Sequence, residues 1–446
     1  MKVRHIWMCV LMAVCWAGSP ALGYLKVHPE NPHYFQETKT GKAVMLAGCA
    51  GLVPSAYKYN YVHHLNEMIS GGVTYGRVWH FLPWEGKNAI WPWGRSDVPG
   101  APMGGCKIDM NTWNPVYWHR MRDSMSRADK AGIYMEIHLF DRCGMSPPDA
   151  HRYKGNPWAS DNNVNNLETP TSDKDGTPEF YMYATKPNLR AQQERYVKKM
   201  IDETISCSNI IYEIENEHWQ YDNPDFASHY AQFVKEHIAK NYPKSPRLVS
   251  YSSLQDDLEA FYKIPWVDIV NRHYGNECER NPATLNDYIE RRWKLNKAIN
   301  IDEFANGVVD PDLLRKMCWI IITSGGNFHI EDAEEPSNPF GICGNIRKFN
   351  EGSNWNFIRS APNKKLVTSG EGYCMAQPGV EYVLYFPAGG EKSVAVSPGK
   401  YKSMWWNPTK SGFSGEETFL HNYGDRKFTA PDANDWVLHI KKTSNS

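Results

Sequence analysis

The stretch IYEIENEHW, residues 211–219, packs three glutamates, Glu213, Glu215 and Glu217, into an otherwise apolar strand pattern and sets Asn216 just before the last of them. Carboxylates are rarely buried without partners, so the run needs a structural reason. Period-2 alternation puts the three glutamates on one face and Tyr212, Ile214 and Asn216 on the other, unless the strand bulges near its end. The flanking sequence repeats the same kind of apolar run. Short strand-like segments recur at AVMLAG (43–48), VTYGRVWHF (73–81), GIYMEIHLF (132–140), NIIYEIEN (209–216), RLVSYSS (247–253), VDIVNRHY (267–274), AINIDEF (298–304) and GNFHIED (326–332). Longer helical patterns separate them, several opened by Pro or closed by Gly. Eight alternating units of this kind predict an α/β fold, a (β/α)8 TIM barrel, over residues 24–360. An open doubly wound sheet is the competing architecture, but no glycine-rich phosphate loop follows the first segment.

Beyond residue 362 the pattern changes to short β-type runs, EYVLYFP, KSVAVSP, KYKSMWWNP and DWVLHI, broken by Gly and Pro. These predict a small all-β sandwich over 362–446. At the other end, residues 1–23 combine Lys2 and Arg4, an apolar stretch from Ile6 to Trp16 and the small-residue end Ala21-Leu22-Gly23. This is the layout of a cleaved signal peptide, too short to span a bilayer, and it predicts a secreted or periplasmic protein without membrane insertion. Eight cysteines lie beyond it and could pair in an oxidising compartment, but no CxxC motif suggests structural zinc.

The formal net charge of -1 gives no electrostatic footprint for nucleic acid. Seventeen tryptophans offer broad apolar faces of the kind that cover sugar rings, or a Trp-rich core.

In a barrel of this kind the chemistry sits at the C-terminal ends of the strands, which favours Glu217 over the deeper Glu213 and Glu215. Those two are expected to pair with an inward arginine such as Arg77. The seventh segment supplies a matching carboxylate, Glu303, sharing a face with Ile299 and Ile301, while Asp302 is expected to point away unless a bulge exchanges the two. Two carboxylates on opposite walls of one pocket are what glycosidic cleavage needs, one to protonate the leaving oxygen and one to attack the anomeric carbon. The acid has to hold a proton near neutral pH, which partial burial and a negative neighbour would favour.

Asn-Glu ending the fourth strand and Glu ending the seventh resemble the clan A retaining glycoside hydrolases, over most of residues 30–350. The resemblance implies Glu217 as acid/base, Glu303 as nucleophile, Asn216 as the contact to a sugar 2-hydroxyl and Arg77 as support for the nucleophile. His273 and Tyr274 resemble the His-x-Tyr region of the sixth strand, here without the intervening residue. Strand eight departs from the family pattern, offering Phe328 and His329 where many members have tryptophan. His138, Trp79, His80, Trp84 and Trp219 are further candidate sugar contacts. The segments around WNPVYW and AGIYMEIHLF, together with the C-terminal domain, look like barrels that carry a β-sandwich of the kind labelled collagen-binding. The implied substrate is an oligo- or polysaccharide, a β-linked glucan or galactan first, with no cofactor.

Two other function classes compete. A metal-dependent barrel hydrolase would want an early His-x-His pair, whereas His63-His64 are adjacent on a predicted helix. A non-catalytic carbohydrate-binding protein would use the aromatics but has no need for two carboxylates at matched strand ends. The long polar loop 153–180 is expected to help decide whether cleavage is internal or terminal.

Overall fold

The computed structural model describes residues 23–443, apart from 57, 80–86, 146–149, 175–176, 218–223, 254–258, 274–280, 306 and 332–336. A parallel sheet closes on itself as a barrel. Its strands are β1 (in two segments, Ala47–Cys49 and Gly51–Leu52), β2 (Tyr75–Val78), β3 (Tyr134–Asp141), β4 (Ile210–Asn216), β5 (Val249–Ser253), β6 (Ile269–His273), β7 (Ala298–Phe304) and β8 (Asn327–Ile330). Ala50, at φ 68°, divides β1. The segment before it pairs with β8 and the segment after it with β2, so this left-handed residue marks the seam where the barrel closes. The first strand therefore lies later than the sequence suggests: Ala43–Val44, the start of the expected 43–48 run, instead pairs with Phe35–Glu37 in a small antiparallel sheet.

The crossover helices begin and end where local chemistry requires. In α1 (Tyr61–Gly71) the Asn60 side chain accepts from a first-turn amide and Gly72 closes the end at φ 76°. In α2 (Pro115–Ala131) Asn114 and Gly132 play the same parts, with proline at the first turn. Caps of this kind are worth about 1 kcal/mol each. They are followed by α3 (Pro187–Thr204), α4 (Pro224–Asn241), α5 (Ala283–Arg292), α6 (Pro311–Thr323) and α7 (Pro339–Ser353). Between β5 and β6 the described helix is a single turn, Glu259–Tyr262.

An apolar cluster of Leu25, Phe35, Leu46, Tyr75, Tyr134, Ile211, Leu248, Ile269 and Ala298 plugs the barrel at the strand starts. Function is thereby left to the opposite end. A hairpin, Trp93–Pro99 with Cys106–Trp113, and the loop after β3 pack together through Trp93 and Trp158.

The C-terminal strands are β9 (Tyr373–Gln377), β10 (Glu381–Phe386), β11 (Glu391–Ala395), β12 (Gly399–Asn407), β13 (Gly412–His421), β14 (Asp425–Thr429) and β15 (Trp436–Lys442). Together with the short strands Ala361–Pro362 and Val367–Ser369 they form a six-stranded and a three-stranded antiparallel sheet around Leu384, Val394, Phe419, Phe428, Leu438 and Ile440. The six-stranded sheet also leans on α6, where Trp319 stacks with Tyr385 and Arg315 forks onto Asp435 at 2.7 and 3.0 Å. That contact explains why α6 is buried on almost every face. Among the described residues no helix is long and apolar enough to cross a membrane, and Cys49, Cys106, Cys207, Cys318, Cys343 and Cys374 are free thiols.

Candidate active site

Above the apolar plug the barrel interior turns polar. Arg77, from β2 and fully buried, stands at its centre. Its guanidinium lies 2.7 Å from Glu213, 3.4 Å from Asp302, 3.7 Å from Glu136 and 3.8 Å from Glu331, and it also donates to Glu303. Asn271 donates to both Glu136 and Glu213 at 3.1 Å, and His138 lies 3.3 Å from Glu213. Glu213 thus pairs with Arg77, whereas Glu215 accepts from Tyr181 on the loop after β3. Burial pushes the Glu213 and Glu136 carboxyls up despite the opposing guanidinium. For Asp302 burial acts in the same direction but is outweighed by His273 and Arg77, and its carboxyl is lowered.

The two strand ends break the simple alternation. On β4, Glu213 and Asn216 both face Arg77, at 2.7 and 2.8 Å, although they are three residues apart. On β7 the register shifts between Asp302 and Phe304. Asn300 and Asp302 face the interior, where Asn300 bonds Tyr75 and Asn271, while Ile299 and Ile301 join the main apolar core instead of sharing an inward face with Glu303. Asp302 therefore does not point away. Glu217 and Glu303 reach the mouth because their own backbones are left-handed, at φ 59° and 47°. Such conformations cost a non-glycine residue about 1–3 kcal/mol and cluster where a side chain has to be aimed. Here each one turns a carboxylate inward from a position that a regular strand would not present.

His273 joins the pair. Its Nδ1 lies 3.0 Å from Glu303 and 3.7 Å from Glu217, and its Nε2 lies 3.4 Å from Asp302. Burial works against a charged imidazole, but Asp302 and Glu303 outweigh it and raise the pKa well above the usual histidine range. Donor atoms of Glu217, His273 and Glu303 all lie within 4.8 Å of one another, and so do those of Glu136, Glu213 and Asp302. Both triads have the spacing of a cation site. The charge is already supplied, however, by imidazolium in the first and guanidinium in the second, and a metal would require His273 to be neutral.

Of the remaining sequence candidates, Trp79 is brought to the site, with its ring 4.7 Å from that of His138 and 5.3 Å from the Arg77 guanidinium. Phe328 is not. It is fully buried near Phe304, in the core that the barrel shares with its helices, because alternation along β8 gives the inward position to His329. His329 bonds the Ala50 carbonyl at 2.9 Å, and burial holds it neutral with a pKa of about 3. His80, Trp84, Trp219 and Tyr274 lie outside the described residues.

Sequence reasoning missed Asp141, the last residue of β3. It is buried, and Asn216 Nδ2 donates to it at 3.3 Å. Period 2 counted from His138 puts residue 140 inward and 141 outward. The structure reverses this, with Phe140 against Tyr196 and Tyr230 of the helices.

A strand-end carboxylate pair over a charged barrel floor can be compared with known proteins. Residues 89–281 match a family described as Domain of unknown function (DUF6298). No curated protein matches. Among solved structures, one titled glycoside hydrolase aligns over 95% of this chain and 98% of its own, with a TM-score of 0.64 and 14% identity. The chain shares the glycoside hydrolase fold. A glycoside hydrolase family 5 protein from Bacteroides vulgatus aligns over 94% of both chains, with a TM-score of 0.63 and 13% identity. An endo-beta-1,4-mannanase from Thermotoga petrophila covers 90% of this chain and 98% of its own, with a TM-score of 0.50 and 12% identity.

Proposed function

We propose that the protein is a glycoside hydrolase that cleaves a β-linked glycan with retention of configuration, Glu217 acting as acid/base and Glu303 as nucleophile. One observation carries this reading: oxygens of the two carboxylates lie within 4.8 Å of each other at the mouth of the barrel. Retaining enzymes hold their carboxyls about 5–5.5 Å apart, whereas inverting enzymes leave about 6.5–9.5 Å for a water. In the first step Glu217, whose side chain keeps 23% of its exposure, delivers a proton to the leaving oxygen while Glu303 attacks the anomeric carbon. Arg77 and His273 orient that carboxylate. Once the ester forms, Glu217 takes a proton from water, which displaces the sugar from Glu303 and restores both groups.

Asn216, fixed by Arg77, is the proposed contact to the 2-hydroxyl, and Trp79 the proposed apolar wall for the ring. A glucan or galactan is the favoured substrate, with mannan included in the test because of the mannanase likeness. The N-terminal segment leads us to place the activity outside the cytoplasm, by secretion or in the periplasm.

A panel of aryl β-glycosides and β-glucan, galactan and mannan, with NMR of the first-formed anomer, tests the reading. Glu217→Gln and Glu303→Gln should each lower turnover on the order of 10⁴-fold while leaving the fold intact. Sugar binding without hydrolysis by the wild type would instead make the chain a carbohydrate-binding protein, and a first product of inverted configuration would rule out the covalent intermediate.

A further inference from the structure

Beneath Arg77 the barrel interior holds a closed ring of hydrogen bonds that the proposed reaction does not touch. Tyr75 of β2 donates to Glu136 of β3, and Asn300 of β7 donates to the Tyr75 hydroxyl and to the Asn271 amide oxygen, both at 3.1 Å. Asn271 of β6 closes the ring by donating to Glu136 Oε1 at 3.1 Å, and it also donates to Glu213 Oε1 of β4 at 3.1 Å. Each of these side chains is fully buried. An amide has one accepting end and one donating end. With the Asn300 NH2 on its oxygen, Asn271 has to present its own NH2 to the two carboxyls, so the ring settles which way it faces. Being neutral, it holds Glu136 and Glu213 side by side without competing with Arg77 for their charge. Glu136 has further donors in the Tyr75 and Ser250 hydroxyls. Glu213 is the one that reaches the site. Its Oε2 accepts at 2.7 Å from Arg77 Nη2, the nitrogen that also donates to Asn216, while Nη1 of the same group donates to Glu303. His138 meets that same Oε2 at 3.3 Å, whereas Asn271 holds the opposite oxygen. Because a guanidinium is a rigid planar fork, the place of Glu213 sets the aim of both ends.

We propose that Asn271 is a positioning residue of the active site, an uncharged clamp on Glu213 that holds the Arg77 plane so that one end meets the nucleophile Glu303 and the other meets Asn216. The proposal rests on the assignment of Glu217 and Glu303 as the catalytic pair. Asn271 touches neither of them and acts through two buried side chains in turn. Without the clamp, Glu213 can follow Arg77 or leave it, and Glu303 loses a fixed partner for its charge.

Two readouts test this. The first is the crystal structure of Asn271→Ser, whose side chain is too short to bridge both carboxyls: the Arg77 plane should turn away from Glu303 and Asn216, and an unmoved plane overturns the proposal. Asn300→Ser, which releases the Asn271 oxygen, should turn the plane in the same way, so it decides the matter if the first variant does not fold. These structures need no turnover and judge the clamp even if the chain hydrolyses no glycoside and the functional assignment fails. The second readout is kinetic, with Ser250→Ala as the control that removes a donor from Glu136 in the same buried layer. Asn271→Ser should lower kcat about 30-fold with KM within about threefold, whereas Ser250→Ala should leave kcat within about twofold. The acid limb of kcat/KM, which reports ionisation of the nucleophile, should move up by about one pH unit in Asn271→Ser alone. Equal losses in Asn271→Ser and Ser250→Ala, or an acid limb that stays in place, would show that Asn271 only fills the core.

Discussion

Arg77 and Arg315 are buried and carry ion pairs, and the two sites are built on opposite plans. Arg315, between α6 and the C-terminal sheet, faces Asp435 with both ends of its fork and Asp312 with the third nitrogen; Asp435 is completed by the Tyr385 hydroxyl. Charge and hydrogen bonds nearly cancel there. Arg77, in the barrel, faces Glu136, Glu213, Asp302, Glu303 and Glu331 alone. Five carboxyls on one guanidinium leave a surplus of negative charge that the site has to absorb by other means. His273 takes up part of it as a second cation, and Glu136 and Glu213 take up part by holding protons more tightly. A matched pair joins two parts of a fold, whereas an oversubscribed one places groups with shifted proton affinities around a cavity, where chemistry can use them.

Removing the arginines separates the two plans. Arg77→Met strands several buried carboxyls at once and should cost more than the ~3–5 kcal/mol typical of breaking a single buried pair, abolishing turnover as well. Arg315→Met should cost about 3 kcal/mol in chemical denaturation and leave the kinetic constants of the folded protein unchanged. Adding Asp435→Asn, which keeps an acceptor for Tyr385, should restore much of that loss. No single change opposite Arg77 should do the same. Equal rescue at both sites would erase the distinction drawn between them.

His273 gives a smaller effect with a definite sign. Its folded pKa is raised, so its contribution to stability is complete below the unfolded value of 6.5 and is lost as pH rises through the folded value. His273→Gln should therefore be less stable than wild type by about 1–3 kcal/mol near pH 6, with the gap closing on the alkaline side. A gap of constant size from acid to alkali would mean that the imidazole acts through packing and carries no charge.

How much of this could be read from the chain depends on how regular the backbone is. Six of the barrel strands lie inside the segments that apolar periodicity marks, and β3 runs one residue past its own, because a strand buried on both faces writes its length directly into the sequence. The first does not, since its boundary is set by the left-handed Ala50 at the barrel seam, and no residue type announces that conformation at an alanine. In the C-terminal sheets, β13 escapes notice for a different reason: five consecutive residues, Ser414–Thr418, are exposed, which leaves little apolar pattern to find. The carboxylate pair is legible from its place at the ends of two strands. Its surroundings are less so. Period 2 assigns Ile301 inward, Asp302 outward and Asp141 outward; the first two assignments fail beside the register shift and the left-handed Glu303 of β7, and the third fails at the end of β3, where Phe140 packs on the helices. Those irregularities are themselves the device that crowds charged groups into one mouth, so the rule fails where the site begins.

The finest test of that crowding concerns Trp79. Gly51, in the second segment of β1, has no Cβ, and one built there would stand 2.4 Å from Trp79 Cδ1 and 2.8 Å from its Nε1. Both neighbouring atoms belong to an indole that is only partly buried, so Gly51→Ala can be accommodated by moving the ring outward. The ring should then lose its contact with His138 and its place above Arg77. If Trp79 forms a wall for the sugar, KM should rise about fivefold with kcat within about twofold, because the carboxylates keep their own supports. Stability should change by only ~1 kcal/mol, the cost of a small overpacking relieved by one side chain. A fall in kcat at constant KM would put the indole's influence on Arg77 instead, and would draw Trp79 into the oversubscribed network rather than onto the substrate.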